Sequence, residues 1–319
     1  MNNIHRRKFL QISKDVGVTM AAATSLFSNS SSAKAAPEKQ NAAKIATFTE
    51  SFQDRPVAEV CRLFKEIGLD GLDLTVRPGG HIHPDNVERE LPAAVEAAHK
   101  HGVRILIVTS AISDVSDSAK KVFDTAGKLG IKYIRACCYR YQKLGSLRRE
   151  LNDARDSIRR VADLADKYNV LPCIHPHSGS YIPSHGTILY ELIRDIPPER
   201  IGVFADTMHM VLEGGADGWR QGLDLLAPWL ALVAVKNFYW EKGHRDSKGQ
   251  QRWRYKVCPI ADGVSPIPEF INVLNQLDFK GVYSLKSEYT GSGSFKHLDS
   301  TACLKQTARD LASLKRCLQ

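Results

Sequence analysis

Residues 91–110 read LPAAVEAAHKHGVRILIVTS and join two structural patterns at a single glycine. The first half spaces apolar residues at helical intervals, and the second half is a short run of apolar and β-branched residues, as in a buried strand. Gly102 lies between them, at a position where the end of a helix favours glycine. The stretch therefore predicts a helix followed by a strand that is buried on both faces.

The same unit recurs along the chain. Together with residues 103–110, the predicted strands cover 44–51, 71–76, 131–138, 170–175, 201–206, 232–238 and 281–288. Apolar strands that alternate with helices indicate a parallel sheet covered by helices. Eight units in about 270 residues match a single (β/α)8 barrel in number and size. A doubly wound sheet is the alternative, but no G-x-G-x-x-G follows the first run.

The N-terminus carries an export pattern. Arg6 and Arg7 precede a mildly apolar stretch at residues 16–27, and Ala33 and Ala35 flank a small-x-small cleavage site. The apolar stretch is too short to span a bilayer, which takes about 20 residues. A charged start, a short apolar centre and small residues describe a signal peptide, and the twin arginine is similar to a Tat signal. A disordered basic tail is the alternative interpretation.

The predicted domains are a Tat-type signal peptide at 1–35, a linker at 36–43 and the catalytic barrel at 44–319. The protein would then be exported to the periplasm, or tethered to the membrane if the signal stays uncleaved. Residues 1–35 carry five Lys/Arg and one Asp, so their removal lowers the formal net charge from +9 to +5. This modest charge does not indicate nucleic-acid binding.

Polar residues collect where the predicted strands end, which is where a (β/α)8 enzyme carries its active site. They are Glu50 after the first strand, Arg77, His81 and His83 after the second, His175 and His177 after the fifth, Asp206 and His209 after the sixth, Lys236 after the seventh, and Lys286 and Glu288 at the eighth. An unpaired carboxylate beside an apolar strand is costly, so Asp206 should have a partner cation or a metal.

Several of these residues have structural alternatives. His175 fits a hydrogen-bonded structural residue as well as a ligand, and Lys286 fits the salt-bridge partner of Glu288. The insertion YWEKGHRDSKGQQRWRYKVCP, residues 239–259, separates the seventh strand from its helix. Its Trp240 fits either a lid over a sugar ring or packing at the rim. We assign substrate binding to Arg77, His81, His83, Glu50 and Trp240.

Three motifs carry a resemblance to a known family. They are IGLDGLDLTVRPGGH at residues 67–81, FADTMHM at 204–210 and SLKSEY at 284–289. With eight strand–helix units, they resemble the xylose-isomerase-like barrels, which include sugar isomerases and epimerases, inosose dehydratases and endonuclease IV. The resemblance runs over nearly the whole chain after the signal.

The resemblance implies a divalent ion held by residues from strands five to eight. Carried over by position, Asp206 and Glu288 are ligands, and His209 contacts the substrate. Two positions depart from the family pattern, because strand five offers His175 and His177 in place of a glutamate and strand seven offers Lys236 in place of a histidine. The H-x-H-x-G run is closer to the inosose dehydratases.

The implied metal site therefore consists of His175, His177, Asp206 and Glu288, which suit an ion of the Mn or Zn class. Such a site requires these side chains to converge on contacts of about 2.0–2.2 Å. The implied catalytic residues are Glu288, Lys236 and His209.

The predicted function is an exported, metal-dependent sugar isomerase or epimerase that removes a proton next to a carbonyl. A lyase or dehydratase acting on a keto-sugar or keto-glycoside by β-elimination is the first alternative, and a non-catalytic carbohydrate-binding barrel is the second. The expected partner is a small carbohydrate, with no nucleic acid and no transmembrane span. Assembly into a homo-oligomer stays open.

Overall fold

The computed structural model describes residues 43–319, so the predicted signal peptide and nearly all of the linker lie outside the described residues. Eight parallel strands form a closed barrel in chain order, and the last strand pairs with the first. The strands are β1 Lys44–Phe48, β2 Gly71–Val76, β3 Arg104–Ser110, β4 Tyr133–Ala136, β5 Leu171–Ile174, β6 Gly202–Asp206, β7 Leu230–Val235 and β8 Val282–Leu285. The predicted (β/α)8 barrel is confirmed.

Helices surround the barrel and connect its strands. Within residues 43–319 they are α1 Val57–Glu66, α2 Val87–Lys100, α3 Asp117–Lys128, α4 Leu147–Asp166, α5 Gly186–Ile193, α6 Thr207–Gly214, α7 Gly218–Leu226, α8 Ile267–Gln276 and α9 Ser300–Cys317. In this part of the chain, none of the helices combines the length and apolar character needed to cross a membrane.

The turn between α2 and β3 has the predicted geometry. Gly102 has a φ of 70°, in the left-handed region that side chains disfavour, and its N–H donates to the carbonyl of His99. The chain can therefore leave the helix and enter the strand within a few residues.

The predicted insertion after β7 is an antiparallel hairpin of two strands, Asn237–Arg245 and Gln251–Cys258. Trp240 lies directly opposite Tyr255 in this hairpin. A smaller pair, Tyr139–Arg140 with Tyr181–Ile182, crosses the loops that follow β4 and β5. These additions lie on the loops at the carboxyl ends of the strands, which is the end of the barrel where the polar residues collect.

The apolar core has two parts. A large cluster fills the space between the barrel and its helices. A smaller cluster that includes Ala46, Ile107, Cys173, Phe204 and Ala234 is built from the barrel strands themselves. Side chains alternate between the two faces of a strand, so residues two positions further along point the same way. The residues that follow the smaller cluster are therefore the ones brought together at the barrel mouth.

Candidate active site

Polar side chains from the carboxyl ends of three barrel strands meet at the barrel mouth. Asp206 follows Phe204 by two positions, Lys236 follows Ala234, and His175 stands in the same relation to the smaller core cluster. All three side chains are buried. The layer above the apolar barrel interior is thus a charged and hydrogen-bonded layer.

Asp206 accepts three hydrogen bonds and forms an ion pair with one ammonium. Its Oδ1 accepts from the backbone N–H groups of Met208 (2.8 Å) and His209 (2.7 Å). Its Oδ2 lies 2.8 Å from Nε2 of His175 and 3.6 Å from Nζ of Lys236. Burial alone would raise the pKa of Asp206, but Lys236 and the hydrogen-bond donors outweigh it and hold the pKa well below the usual value. Asp206 is therefore a carboxylate at neutral pH.

Lys236 lies between two carboxylates. Its Nζ is 3.6 Å from Oδ2 of Asp206 and donates to Oε2 of Glu288 at 3.2 Å. Burial would lower the pKa of Lys236, but the two carboxylates outweigh this effect and raise it. The hydroxyl of Thr207 fixes the position of Lys236, because it donates to the Lys236 carbonyl (2.6 Å) and accepts from the Lys236 N–H (3.0 Å).

Glu288 is the most accessible charged group of this cluster. Its side chain is 29% exposed, against 3% for Lys236 and 0% for Asp206. Burial would raise the pKa of Glu288, but Lys236 and Lys286 outweigh burial and lower it. Glu288 is therefore an ionised carboxylate that a ligand entering the barrel mouth can reach.

Three neutral histidines border the carboxylates. Burial lowers the pKa of His175 to about 3, and it also lowers the pKa of His177 and, more strongly, that of His209. The rings of His177 and His209 lie 4.1 Å apart, and His177 lies equally close to Tyr181. Because Asp206 is ionised, neutral His175 donates its Nε2 proton to that carboxylate.

His209 presents an unused donor. The N–H of Ser178 donates to its Nδ1 at 3.3 Å, and the Ser178 hydroxyl lies 2.9 Å from the same atom. In the neutral ring the proton is then on Nε2. This Nε2 is buried and has no hydrogen-bond partner among residues 43–319. A buried donor without a partner is costly, so a substrate oxygen is a natural acceptor for it.

A second charged pair lies across the mouth. Nζ of Lys286 donates to Oδ2 of Asp73 at 2.6 Å, and Thr109 and Ser284 donate to the same carboxylate at 2.6 and 2.8 Å. Lys286 is thus paired with Asp73 and not with Glu288, which corrects the sequence-based alternative. The two side chains diverge because the chain makes a tight turn after β8, in which the Glu288 N–H donates to the Lys286 carbonyl at 2.8 Å. Such a turn changes the chain direction within three residues.

The polar groups of the residues predicted to bind substrate after the first two strands are mostly occupied by contacts within the protein. Arg77 and Glu50 form an ion pair at 2.5 Å. His81 is held through both ring nitrogens, with Nδ1 3.2 Å from the Thr75 hydroxyl and Nε2 3.1 Å from the Phe52 carbonyl. His81 therefore has no free ring nitrogen for a substrate.

The remaining predicted residues lie on the loops. His83 contacts Asp85 of its own loop, with Nδ1 3.4 Å from the carboxylate. Trp240 is 49% exposed on the hairpin and is in edge-on contact with the buried Phe238. His185, the residue before α5, caps the start of that helix by accepting from the Thr187 N–H.

A divalent ion does not fit this set of donors. No three His, Cys, Asp or Glu side chains of the described barrel are grouped in a way that could hold a metal ion. A carboxylate offers about four acceptor positions. Asp206 already accepts three hydrogen bonds, and the Lys236 ammonium lies 3.6 Å from its Oδ2. Lys236 lies against Asp206 and Glu288, the two carboxylates predicted to hold the metal. The predicted ligand set of His175, His177, Asp206 and Glu288 is therefore not arranged as a metal site.

Sequence reasoning missed Asp73 and Ser178. Asp73 lies inside the buried strand GLDLTV. Since a buried charge requires a partner, the sequence could have predicted a cation beside Asp73. Ser178 gave no comparable signal, because a serine in a polar loop is common and its contact with His209 depends on the fold.

The sequence profile of the Xylose isomerase-like TIM barrel family matches residues 61–316. The match covers most of the chain, and the closed barrel agrees with it. The chain belongs to this family. No curated protein sequence matches the chain.

Several solved structures have a similar fold. A 3-keto-D-glucoside 4-epimerase of E. coli has a TM-score of 0.64 at 14% identity, over 86% of this chain and 100% of that one. A probable 3-DHS dehydratase of Bacillus anthracis has a TM-score of 0.60 at 18% identity, over 84% and 98%. A xylose isomerase-like barrel of Mycobacterium smegmatis, in complex with magnesium, has a TM-score of 0.61 at 13% identity, over 87% and 98%. At these identities the similarity concerns the fold.

Proposed function

We propose that the protein is a carbohydrate isomerase or epimerase that removes a proton from the carbon next to a carbonyl group. The observation that carries this proposal is the accessible carboxylate of Glu288, ionised and in contact with a buried ammonium at the barrel mouth. Membership of the Xylose isomerase-like family and the epimerase among its structural neighbours support a carbohydrate substrate.

Glu288 is the base of the proposed reaction. It accepts the proton as the C–H bond breaks, the electron pair forms a C=C bond, and the carbonyl oxygen becomes an enolate oxygen. The Nε2–H of His209 donates to a substrate oxygen, because it has no acceptor within the described residues. Return of a proton to the opposite face of the same carbon completes epimerisation. Return of a proton to the former carbonyl carbon, with the hydroxyl proton of the deprotonated carbon passing to the enolate oxygen, completes isomerisation.

His177 is the proposed second proton carrier. Its Nδ1 lies 3.3 Å from the Ser178 carbonyl, so that nitrogen carries the proton and Nε2 offers a lone pair. His177 is half-buried beside His209. For epimerisation, the imidazole and the carboxylate would serve the two faces of one carbon. Nε2 of His177 takes a proton from water and passes it to the carbon, and Glu288 releases to water the proton that it removed.

β-Elimination from a keto-sugar or keto-glycoside is a second candidate function. The observation that favours it is the presence of imidazoles, rather than a second carboxylate, at the end of β5. Elimination needs one base for the proton and one acid for the leaving group, and it begins with the same removal of a proton by Glu288. The re-formed carbonyl then expels the group on the β-carbon.

Solvent exchange separates these functions. Ketoses, aldoses and 3-keto-glycosides are incubated with the protein in D2O, and NMR measures both the C–H to C–D exchange and the release of a leaving group. We expect exchange that Glu288→Gln reduces by a factor of about 10² or more, within the usual range for a general base. The exposed Glu269 on α8 is the matched control, and Glu269→Gln should leave the rate unchanged.

Release of a leaving group at the exchange rate would favour the lyase over the isomerase. Tight carbohydrate binding with no exchange in any substrate would contradict both enzymatic proposals and favour a non-catalytic barrel.

The proposed location is the periplasm, reached through the twin-arginine pathway. The support comes from the sequence of residues 1–35. Replacement of both Arg6 and Arg7 by lysine should retain the protein in the cytoplasm of a bacterial host, as measured by cell fractionation. Unchanged export of this double variant would contradict the proposal.

A further inference from the structure

Lys236 stands at a position where the family pattern places a histidine ligand. We propose that its ammonium replaces the divalent ion in this protein, binding the carbonyl oxygen of the substrate and balancing the charge that develops there, so that the reaction needs no metal. This inference rests on the proposed function and defines how the same site carries it out.

The acceptor sites of Asp206 argue for this replacement. Its two oxygens are approached by two backbone N–H groups, the Nε2 of His175 and the Nζ of Lys236. A metal ligand needs a free lone pair directed at the ion, at about 2.0–2.2 Å for Zn²⁺. Asp206 accepts three hydrogen bonds, and the Lys236 ammonium lies 3.6 Å from Oδ2. This ammonium would have to move away before Oδ2 could bind an ion.

The position of the ammonium gives the second argument. Nζ of Lys236 lies 3.2 Å from Oε2 of Glu288 and 3.6 Å from Oδ2 of Asp206. A divalent ion bound to both carboxylates would lie within a few ångströms of this positive charge, and like charges at that separation repel strongly in a buried site. The ammonium therefore fills the place between the carboxylates that a metal would need.

The Lys236 ammonium has enough N–H donors to bind a substrate oxygen as well as its carboxylate neighbours. A lysine ammonium has three N–H donors. That of Lys236 donates to Glu288 at 3.2 Å and lies 3.6 Å from Asp206. At least one N–H is therefore left for a substrate oxygen. The two hydrogen bonds between Thr207 and the Lys236 backbone fix the backbone of Lys236 at the point where β7 ends.

The proposed removal of the proton requires no metal ion. Glu288 takes the proton from the carbon next to the carbonyl, the C–H electrons form the C=C bond, and the carbonyl π electrons move to oxygen. The Lys236 ammonium stabilises that oxygen by charge and hydrogen bonding, which is the role of preorganised donors in enolate-forming sites. No oxidant, reductant or further reactant is required.

The first test measures metal binding and does not depend on activity. The protein is stripped with EDTA, dialysed and titrated with Mn²⁺ and Zn²⁺ by calorimetry, beside Lys236→His, which restores an imidazole at this position. We expect no stoichiometric binding by the unchanged protein and at least tenfold tighter Mn²⁺ binding by Lys236→His. Lys286→His is the matched control, because within residues 43–319 the ion pair of Lys286 is with Asp73 and not with the Asp206–Glu288 pair; it should gain no such binding.

One Mn²⁺ or Zn²⁺ bound per unchanged chain, and lost in Glu288→Gln, would overturn the inference. This result would leave the proposed carbohydrate reaction standing, so the two failures can be distinguished.

The second test measures the role of the charge in catalysis. With the substrate that the exchange experiment identifies, Lys236→Met should lower kcat by a factor of about 10² to 10³, the usual loss when a preorganised donor is removed. Lys236→Arg keeps a cation and should retain more activity than Lys236→Met. If Lys236→Met does not fold, the titration of the unchanged protein still decides the question.

Turnover of Lys236→Met within threefold of the unchanged protein would overturn the inference, and so would loss of the unchanged protein's activity on EDTA treatment with recovery on addition of Mn²⁺.

Discussion

His209 has the least satisfied polar group at the barrel mouth. Its Nδ1 accepts from Ser178, while its buried Nε2 has no partner within residues 43–319. A protein keeps a donor of this kind at a cost in stability, and binding sites are where such costs are offset by a ligand. A substitution at His209 should therefore affect substrate binding and fold stability to different extents.

We predict that His209→Asn weakens substrate binding more than it destabilises the fold. The asparagine side chain can place an acceptor near the position of Nδ1 for the Ser178 N–H, but it does not reach the position of Nε2. KM should rise about tenfold, which corresponds to the loss of one hydrogen bond of about 1.4 kcal/mol. Steady-state kinetics and thermal unfolding check this. An unchanged KM with a large fall in Tm would show that His209 is only structural.

Thr207 connects two elements at the mouth. It is the first residue of α6, and its hydroxyl bonds to both the N–H and the carbonyl of Lys236, just beyond β7. The start of α6 and the end of β7 are thereby held together at the point where Asp206 and Lys236 meet.

We expect Thr207→Val to lower the free energy of unfolding by about 2 kcal/mol, because the isosteric side chain leaves two buried backbone groups of Lys236 without this partner. Thr47 on β1 is the matched control, since its buried hydroxyl has no partner in the described barrel. Thr47→Val should be neutral or stabilising. Urea unfolding measures both variants, and equal losses would contradict the role assigned to Thr207.

Aromatic side chains line the hairpin that follows β7 from its base to its tip. Phe238 is buried at its base, Trp240 and Tyr255 face each other next, and Trp253 lies opposite Lys242 nearer the tip. The hairpin begins at Asn237, directly after Lys236 in the chain. The lower part of the hairpin therefore borders the charged cluster.

We predict that Trp240→Ala raises KM about tenfold while Trp253→Ala leaves it within twofold. Both tryptophans are about half exposed, at 49% and 55%, so neither change should alter the stability much. Stacking of a sugar ring on the nearer tryptophan is the physical reason for the difference. Equal effects of the two variants on KM would contradict a substrate contact by Trp240.

The whole molecule should lose stability in mild acid. His175 is neutral in the folded barrel, where burial lowers its pKa to about 3, whereas an unfolded histidine has a pKa of about 6.5. The unfolded chain therefore takes up the proton first, so the contribution of His175 is complete above about pH 6.5 and declines as the pH falls toward 3. His177 and His209 act in the same direction.

We expect the free energy of unfolding to fall between about pH 6.5 and pH 5 by up to about 1.4 kcal/mol per pH unit for each buried histidine. The pKa values of Asp73 and Asp206 are lowered, so these carboxylates affect stability only at lower pH. Urea unfolding should give a shallower slope for His175→Asn and an unchanged slope for His99→Asn, since His99 is exposed on α2. A slope that His175→Asn leaves unchanged would contradict this account.

The fold of the whole molecule was readable from the sequence because its signals are local. Each helix and the following strand differ in apolar periodicity, and glycines such as Gly102 mark the boundary between them. The charge pairs at the mouth were not readable in the same way. Asp73 meets Lys286 across 213 positions, and Lys236 meets Glu288 across 52. These contacts arise from barrel closure and from the turn after β8, which no short stretch of sequence specifies.

The central claim is that Glu288 removes a proton from a carbohydrate at the mouth of this barrel. The most direct test is the rate of deuterium incorporation from D2O into a ketose or 3-keto-glycoside, measured by NMR with chelator-treated protein and with Glu288→Gln. The account predicts exchange at the carbon next to the carbonyl for the unchanged protein and a reduction of about 10² or more for the variant. Absence of exchange, or equal exchange by the two proteins, would contradict it.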